Sequence, residues 1–181
     1  PQQDVCGYAT TFVRSKPGTK SSRPLTIWDG SAGAFKLFYE GKKVLEDLAY
    51  RELDMDRFAT TVTLRPSWSR ITIKVCGDAD APKLSVRLGD AAGGPDLDVD
   101  VRADLEASVD AAAGEKERAR EKTATPVATN RAFGPVQAFE LATSGKSAKP
   151  SALEHYARYL AITGGDPKAD HKARDLARRA A

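Results

Sequence analysis

Residues 62–78 read VTLRPSWSRITIKVCGD, and the fold class turns on how they are read. Ile71, Ile73 and Val75 alternate with Thr72 and Lys74, which is the period of a strand that buries one face and shows the other to water. The Pro66-Ser67-Trp68-Ser69 turn separates this strand, Arg70 to Cys76, from one before it, Phe58 to Leu64. Working outward, the same period recurs in Val5 to Val13, Pro24 to Trp28, Ala34 to Tyr39, Lys43 to Leu48, Leu84 to Leu88 and Leu97 to Val101. Within FKLFYEGKKVLED (35–47), Gly41-Lys42 suits the tight turn of a hairpin, since Gly at the first central position fits type II′. Eight short strands at close spacing imply an antiparallel sandwich or barrel.

Near residue 102 the period becomes helical. Asp104 to Lys122 carries Leu105, Val109 and Ala112 on one face before dissolving into the charged run EKERAREK, and TATPVATN (123–130) reads as a linker. Pro135 to Thr143 starts with Pro at a first-turn position. Ser151 to Thr163 opens on a Ser151/Glu154 capping box. Gly164-Gly165 closes that helix, and Asp166 with Pro167 starts the next, Lys168 to Ala181. The expected class is α+β by segregation. Residues 1–102 form the sandwich, 103–132 a charged helix and linker, and 133–181 a helical hairpin region at the start of a repeat array.

With 181 residues, 41% of them hydrophobic, the chain can bury a core without metal or extra staples. The formal charge of +3 is local: Lys168, Lys172, Arg174, Arg178 and Arg179 outweigh Asp170 and Asp175 in the last segment, and everything before Lys168 sums to zero. A basic tail without interleaved aromatics argues against a nucleic-acid partner. No apolar run approaches the ~20 residues of a membrane span, and PQQDVCGYAT at the start has no signal-peptide core. Beginning at Pro1, the chain is expected to be a processed form or an excised piece.

The residues that could carry chemistry are few. Cys6 and Cys76 fall in two strands of the same domain, where either a disulfide or two buried thiols would fit. Asp96, Asp98 and Asp100 alternate with apolar residues, so a strand would set three carboxylates on one face as a calcium shelf or, more simply, as a charged edge. The DxDxD spacing is not an EF-hand, because Val101 and Ala107 stand where that loop needs Gly and Glu. Trp28, Trp68 and Tyr50 could form a platform on which sugar rings stack, although tryptophans at turns also close the ends of cores. His155 and His171 belong to no nucleophile or metal motif and read as surface residues. No catalytic residues and no cofactor are expected.

The segment from about Tyr8 to Gly93, through FKLFYEGKKVLED, VTLRPSWSRITIKVCGD and KLSVRLGDAAGG, resembles the galactose-binding-like modules of bacterial envelope proteins, which implies an antiparallel β-sandwich of jelly-roll type. It departs from them at Glu40, where Asn is customary, and in its Pro66-Ser67-Trp68-Ser69 turn, so no sugar-contacting set carries over. ALEHYARYLAITGGDPKADHKARDLARRAA (152–181) resembles one tetratricopeptide-type hairpin, with Tyr156 and Tyr159 set against Ala173 and Ala177, and the chain ends as such an array would if cut after its first unit. The resemblances imply a non-catalytic recognition or scaffold portion of a larger protein in the periplasm or outside the cell, a cytoplasmic site remaining open. A protein partner would be docked by Tyr156, Tyr159, Arg174 and Arg178. Two alternatives stand beside it: a carbohydrate-binding module, and an accessory domain of a transglutaminase-like or peptidase enzyme whose catalytic part lies elsewhere.

Overall fold

The computed structural model describes residues 5–18, 22–77, 81–120 and 132–181. All eight expected strands form: β1 (Val5–Ser15), β2 (Arg23–Ala32), β3 (Ala34–Tyr39), β4 (Lys42–Asp47), β5 (Phe58–Leu64), β6 (Ser69–Gly77), β7 (Lys83–Gly89) and β8 (Val99–Arg102). Helices α1 (Leu105–Arg120), α2 (Pro135–Thr143), α3 (Pro150–Thr163) and α4 (Pro167–Ala180) follow. The class is α+β. A five-stranded antiparallel sheet, in the order β4-β3-β6-β1-β8, faces a three-stranded one, β5-β2-β7. The chain changes sheet at every connection except the β3–β4 hairpin. The linker expected at 123–130 lies outside the described residues.

Alternation explains the core. Val13, Phe35, Leu37, Tyr39, Ile71, Ile73 and Val75 from the large sheet meet Leu25, Ile27, Val62 and Leu64 from the small one, and the Tyr39 hydroxyl spans the gap to donate to the Thr63 carbonyl at 2.7 Å. At Gly33, φ is +104°, and a Cβ there would run into the Cys76 carbonyl, so only glycine lets β2 pass into β3 this close to β6.

Local details differ from the sequence expectation in several places. The hairpin turn is Glu40-Gly41 rather than Gly41-Lys42, because Tyr39 pairs with Lys42, and both central residues have positive φ, as a type I′ turn requires. Strand β2 runs on through Asp29 to Ala32 instead of stopping at Trp28. The Ser151/Glu154 capping box is not made: Pro150 occupies the first turn and moves the cap to Lys149. Asp166 does cap α4, accepting from the Lys168 and Ala169 amides. Helix α1 buries Ala107 and Ala111 rather than Val109, which stays exposed; the two small side chains let the helix settle over Phe12 and Trp68.

Both faces of the small sheet are covered. Its inner face meets the large sheet, while on its outer face Trp28, Ala59 and Ala132 form a second cluster. Gln137 of α2 clamps the edge strand β5 like one more strand residue: its Oε1 accepts from the Ala59 amide at 2.8 Å and its Nε2 donates to the Ala59 carbonyl at 3.0 Å. The same Oε1 accepts from the Gly134 amide and so fixes the start of α2.

Candidate functional site

The β4–β5 loop, residues 48–57, carries two arginines into the helices. The Arg57 guanidinium, almost wholly buried, donates to Asp54 at 2.9 Å and to the Thr163 hydroxyl at 2.8 Å. It also lies over the Tyr159 ring, 5.3 Å from its centroid. The Tyr159 hydroxyl donates in turn to Asp54. Burial, reinforced by that bond to a carboxylate, pushes the Tyr159 phenol up to about 12. Arg51, also buried, reaches Asp47, Asp166 and the Gly164 carbonyl; burial and the neighbouring Arg57 charge lower its pKa against the pull of Asp166. Arginine suits this role because its planar fork can satisfy several acceptors while its stem packs. The turn between α3 and α4 is thereby tied to the sandwich.

Beside this wedge opens a cavity of about 840 Å3 between sandwich and helices. Tyr50 and Leu48 stand at one side, Lys168 and Lys172 at the other, with Phe58, Val136, Tyr156 and Leu160 among the apolar lining. Tyr156 is buried and stacks on Phe139, with ring centroids 5.2 Å apart. Lys172 lies over the Tyr156 ring, 5.0 Å from its centroid, and donates to Glu140 at 2.8 Å. The walls carry both signs of charge, mostly already paired, over an aromatic and aliphatic floor.

The residues singled out from sequence are scattered by the fold. Trp28, 8% exposed, is capped by Arg87, and its indole N–H donates to the Asp90 carbonyl. Trp68, 5% exposed, lies beneath α1 with Arg14 over its ring. Both indoles close the core and offer no free face to a sugar. Tyr50, 40% exposed, is alone of the three at the cavity. Asp96, Asp98 and Asp100 do not share a strand face: Asp96 pairs with Arg23 and accepts from the Asp98 amide in a turn, and Asp100 pairs with Arg14 at 3.1 Å. Among the described residues no group of three or more His, Cys, Asp or Glu is placed to hold a metal ion. Cys6 and Cys76 face each other across β1 and β6, with Cα atoms 4.0 Å apart, and are disulfide-bonded. Tyr156 and Tyr159 are used internally, while Arg174 and Arg178 are exposed on α4. His155 and His171 are exposed.

Two features were not anticipated. The arginine wedge has no local signal, since Arg51 and Arg57 resemble any solvated loop arginine. Asp29 does have one, for it continues the Leu25, Ile27 alternation onto the core face. It is 0% exposed, flanked by Phe58 and Val86 on the neighbouring strands, and neither carboxylate oxygen has a hydrogen-bond partner among the described residues. Burial raises its pKa from 3.8 to about 7.

Among the described residues no helix is long and apolar enough to cross a membrane. No family model matches the chain, and no curated protein or solved structure matches it.

Proposed function

We propose that this chain is a non-catalytic recognition module of an envelope protein and that it engages a protein partner through the cavity between its sandwich and its helices. The observation that carries the reading is the composition of that cavity. Tyr50 and Leu48 offer exposed apolar surface at its mouth, Tyr156 and Leu160 line its interior, and its rim presents amines and carboxylates together. Mixed charge around an apolar floor complements a polypeptide segment, whose own side chains bring both kinds of group. The disulfide is compatible with an oxidising compartment.

Photo-crosslinking tests the proposal. A benzophenone side chain placed at Tyr50 or Lys168 in the native cell should give a discrete protein adduct, and the same group at Val109, exposed on α1, should not. Lys168→Glu combined with Tyr50→Ala should remove an adduct formed from Leu48. Equal labelling from Val109, or turnover in a hydrolase screen abolished by substitutions in the cavity, would overturn it.

A further inference from the structure

The N-terminal half of β1 is held in place at a cost that its own burial does not explain. Every residue from Val5 to Thr10 is exposed, Tyr8 at 70%, so these side chains contribute little to the core. Yet the Cys6–Cys76 disulfide locks this segment to β6 in register. On its other side β8 pairs only with Phe12 to Ser15, because the chain leaves the sheet after Arg102 to enter α1. Among the described residues nothing occupies the strand position beside Val5 to Thr11.

The remaining edges are protected in familiar ways. Strand β4 carries Lys42, Lys43, Glu46 and Asp47; β7 carries Lys83 and Arg87; β8 is four residues long with Asp100 and Arg102; and β5 is clamped by Gln137. Such devices prevent edge-to-edge pairing. The seven residues VCGYATT have no charge, no proline and no bulge in their pairing with β6. A rigid, neutral, unprotected edge is a surface for adding a strand.

We infer that a second copy of this chain fills the slot, with β1 pairing antiparallel to β1 about a two-fold axis through Tyr8. The register is self-complementary. Val5 then lies opposite Thr11, Cys6 opposite Thr10, Gly7 opposite Ala9, and Tyr8 opposite its own copy, and no like charges meet. Backbone geometry agrees. The narrow Cα spacing of 4.0 Å at Cys6/Cys76 marks a pair that does not exchange hydrogen bonds. The amides and carbonyls of Cys6, Tyr8 and Thr10 therefore point away from β6 into the slot, and the proposed register sets these three against one another as hydrogen-bonded pairs. The result is an isologous interface that joins two five-stranded sheets into one.

Light scattering and sedimentation over a wide concentration range should show mass rising from 19.4 kDa to twice that value. Amide exchange should slow with concentration at Cys6, Tyr8 and Thr10 but not at Gly7 and Ala9, whose amides already face β6, an alternation that nonspecific association does not produce. Tyr8→Glu, which opposes two carboxylates on the axis while facing Lys74 favourably within each chain, should weaken the dimer by ~10-fold or more. Thr10→Pro should do the same by removing an N–H that faces the slot, and it should abolish the concentration dependence of the melting temperature, while the exposed Thr10–Thr72 hydroxyl contact it also loses affects the monomer and dimer alike. A chain that stays at monomer mass at the highest concentration reached overturns the inference and leaves the edge to a strand of another protein. A dimer insensitive to both substitutions overturns it too.

Discussion

A buried carboxylic acid with no hydrogen-bond partner among the described residues should make the stability of this protein fall as pH rises toward neutrality. Asp29 is fully buried between Phe58 and Val86, and its pKa stands at about 7 against an ordinary 3.8. The folded state therefore holds this proton where the unfolded chain has released it, so the unfolding free energy decreases with pH between those two values. Below pH ~4 the stabilisation is complete, through the window it is lost, and above pH ~8 nothing further changes. At about 1.36 kcal/mol per pH unit, the full span is worth about 4 kcal/mol, of which more than half falls between pH 5 and pH 8. That is a large share of the ~5–15 kcal/mol that holds a typical domain together.

Urea unfolding at constant ionic strength across pH 5 to 8 measures the effect directly. The carboxylates with lowered pKa do not interfere. Asp104, held down by the Ala107 amide, and Glu46, held down by Lys43, both titrate below this window. Asp96 does too, since the upward push of burial is outweighed by Arg23 and the Asp98 amide together. Asp29→Asn should flatten the profile, and Asp29→Val should be more stable than the parent at pH 8, where the parent holds a charge in its core. A parent profile flat from pH 5 to 8, or a slope that survives in Asp29→Asn, would refute the reasoning.

Three further outcomes follow from the same geometry. Arg57→Met should destabilise by about 3 kcal/mol in chemical denaturation, because it strips Asp54 and Tyr159 of their buried cation, whereas Tyr159→Phe should cost about 1 kcal/mol. Ala107→Leu, at a position with no exposed surface beneath α1, should lower the melting temperature through about 1–3 kcal/mol of overpacking against Trp68 and leave the far-ultraviolet spectrum unchanged. Replacing Cys6 and Cys76 with Ser opens a link spanning 70 residues, which should cost up to about 4 kcal/mol, with faster amide exchange appearing first at Val5 to Thr10.

What could be read in advance was whatever depends on neighbours along the chain. Alternation found every strand, because a sheet with one wet face writes its period into the side chains. Asp166-Pro167 and Pro135 located helix starts, because capping and the fixed φ of proline are local effects. Some errors came from competing local signals, as where Pro150 displaced the Ser151 cap, and the larger ones arose where distant groups compete with a local signal. Asp29-Gly30 carries the chemistry of a turn, and this obscured the Leu25, Ile27, Asp29 alternation. The strand continues because β7 pairs with it as far as Ala32, and Gly30 serves there as a strand residue that leaves room for the Asp54 carbonyl, where no Cβ would fit. In α1 the larger Val109 drew the expected face, yet the partner surface is the broad Trp68 ring, which favours the close approach that only Ala107 and Ala111 permit.

Tryptophan poses the same problem in sharper form, and it bears on function. Sequence leaves an indole at a sandwich rim free to stack on a ligand or to close the core, and the choice rests on whether another segment arrives to cover it. Here Ala132 reaches Trp28 and α1 reaches Trp68, both from beyond residue 102. The C-terminal part thus completes the cover that Arg87 and Arg14 of the sandwich begin over the two indoles. It also provides the wall that turns Tyr50 from an isolated loop residue into one side of a cavity. On the proposed reading, recognition is a property of sandwich and helices together, and the charged wedge of Arg51 and Arg57, packed with its acceptors between them, ties the two walls to each other.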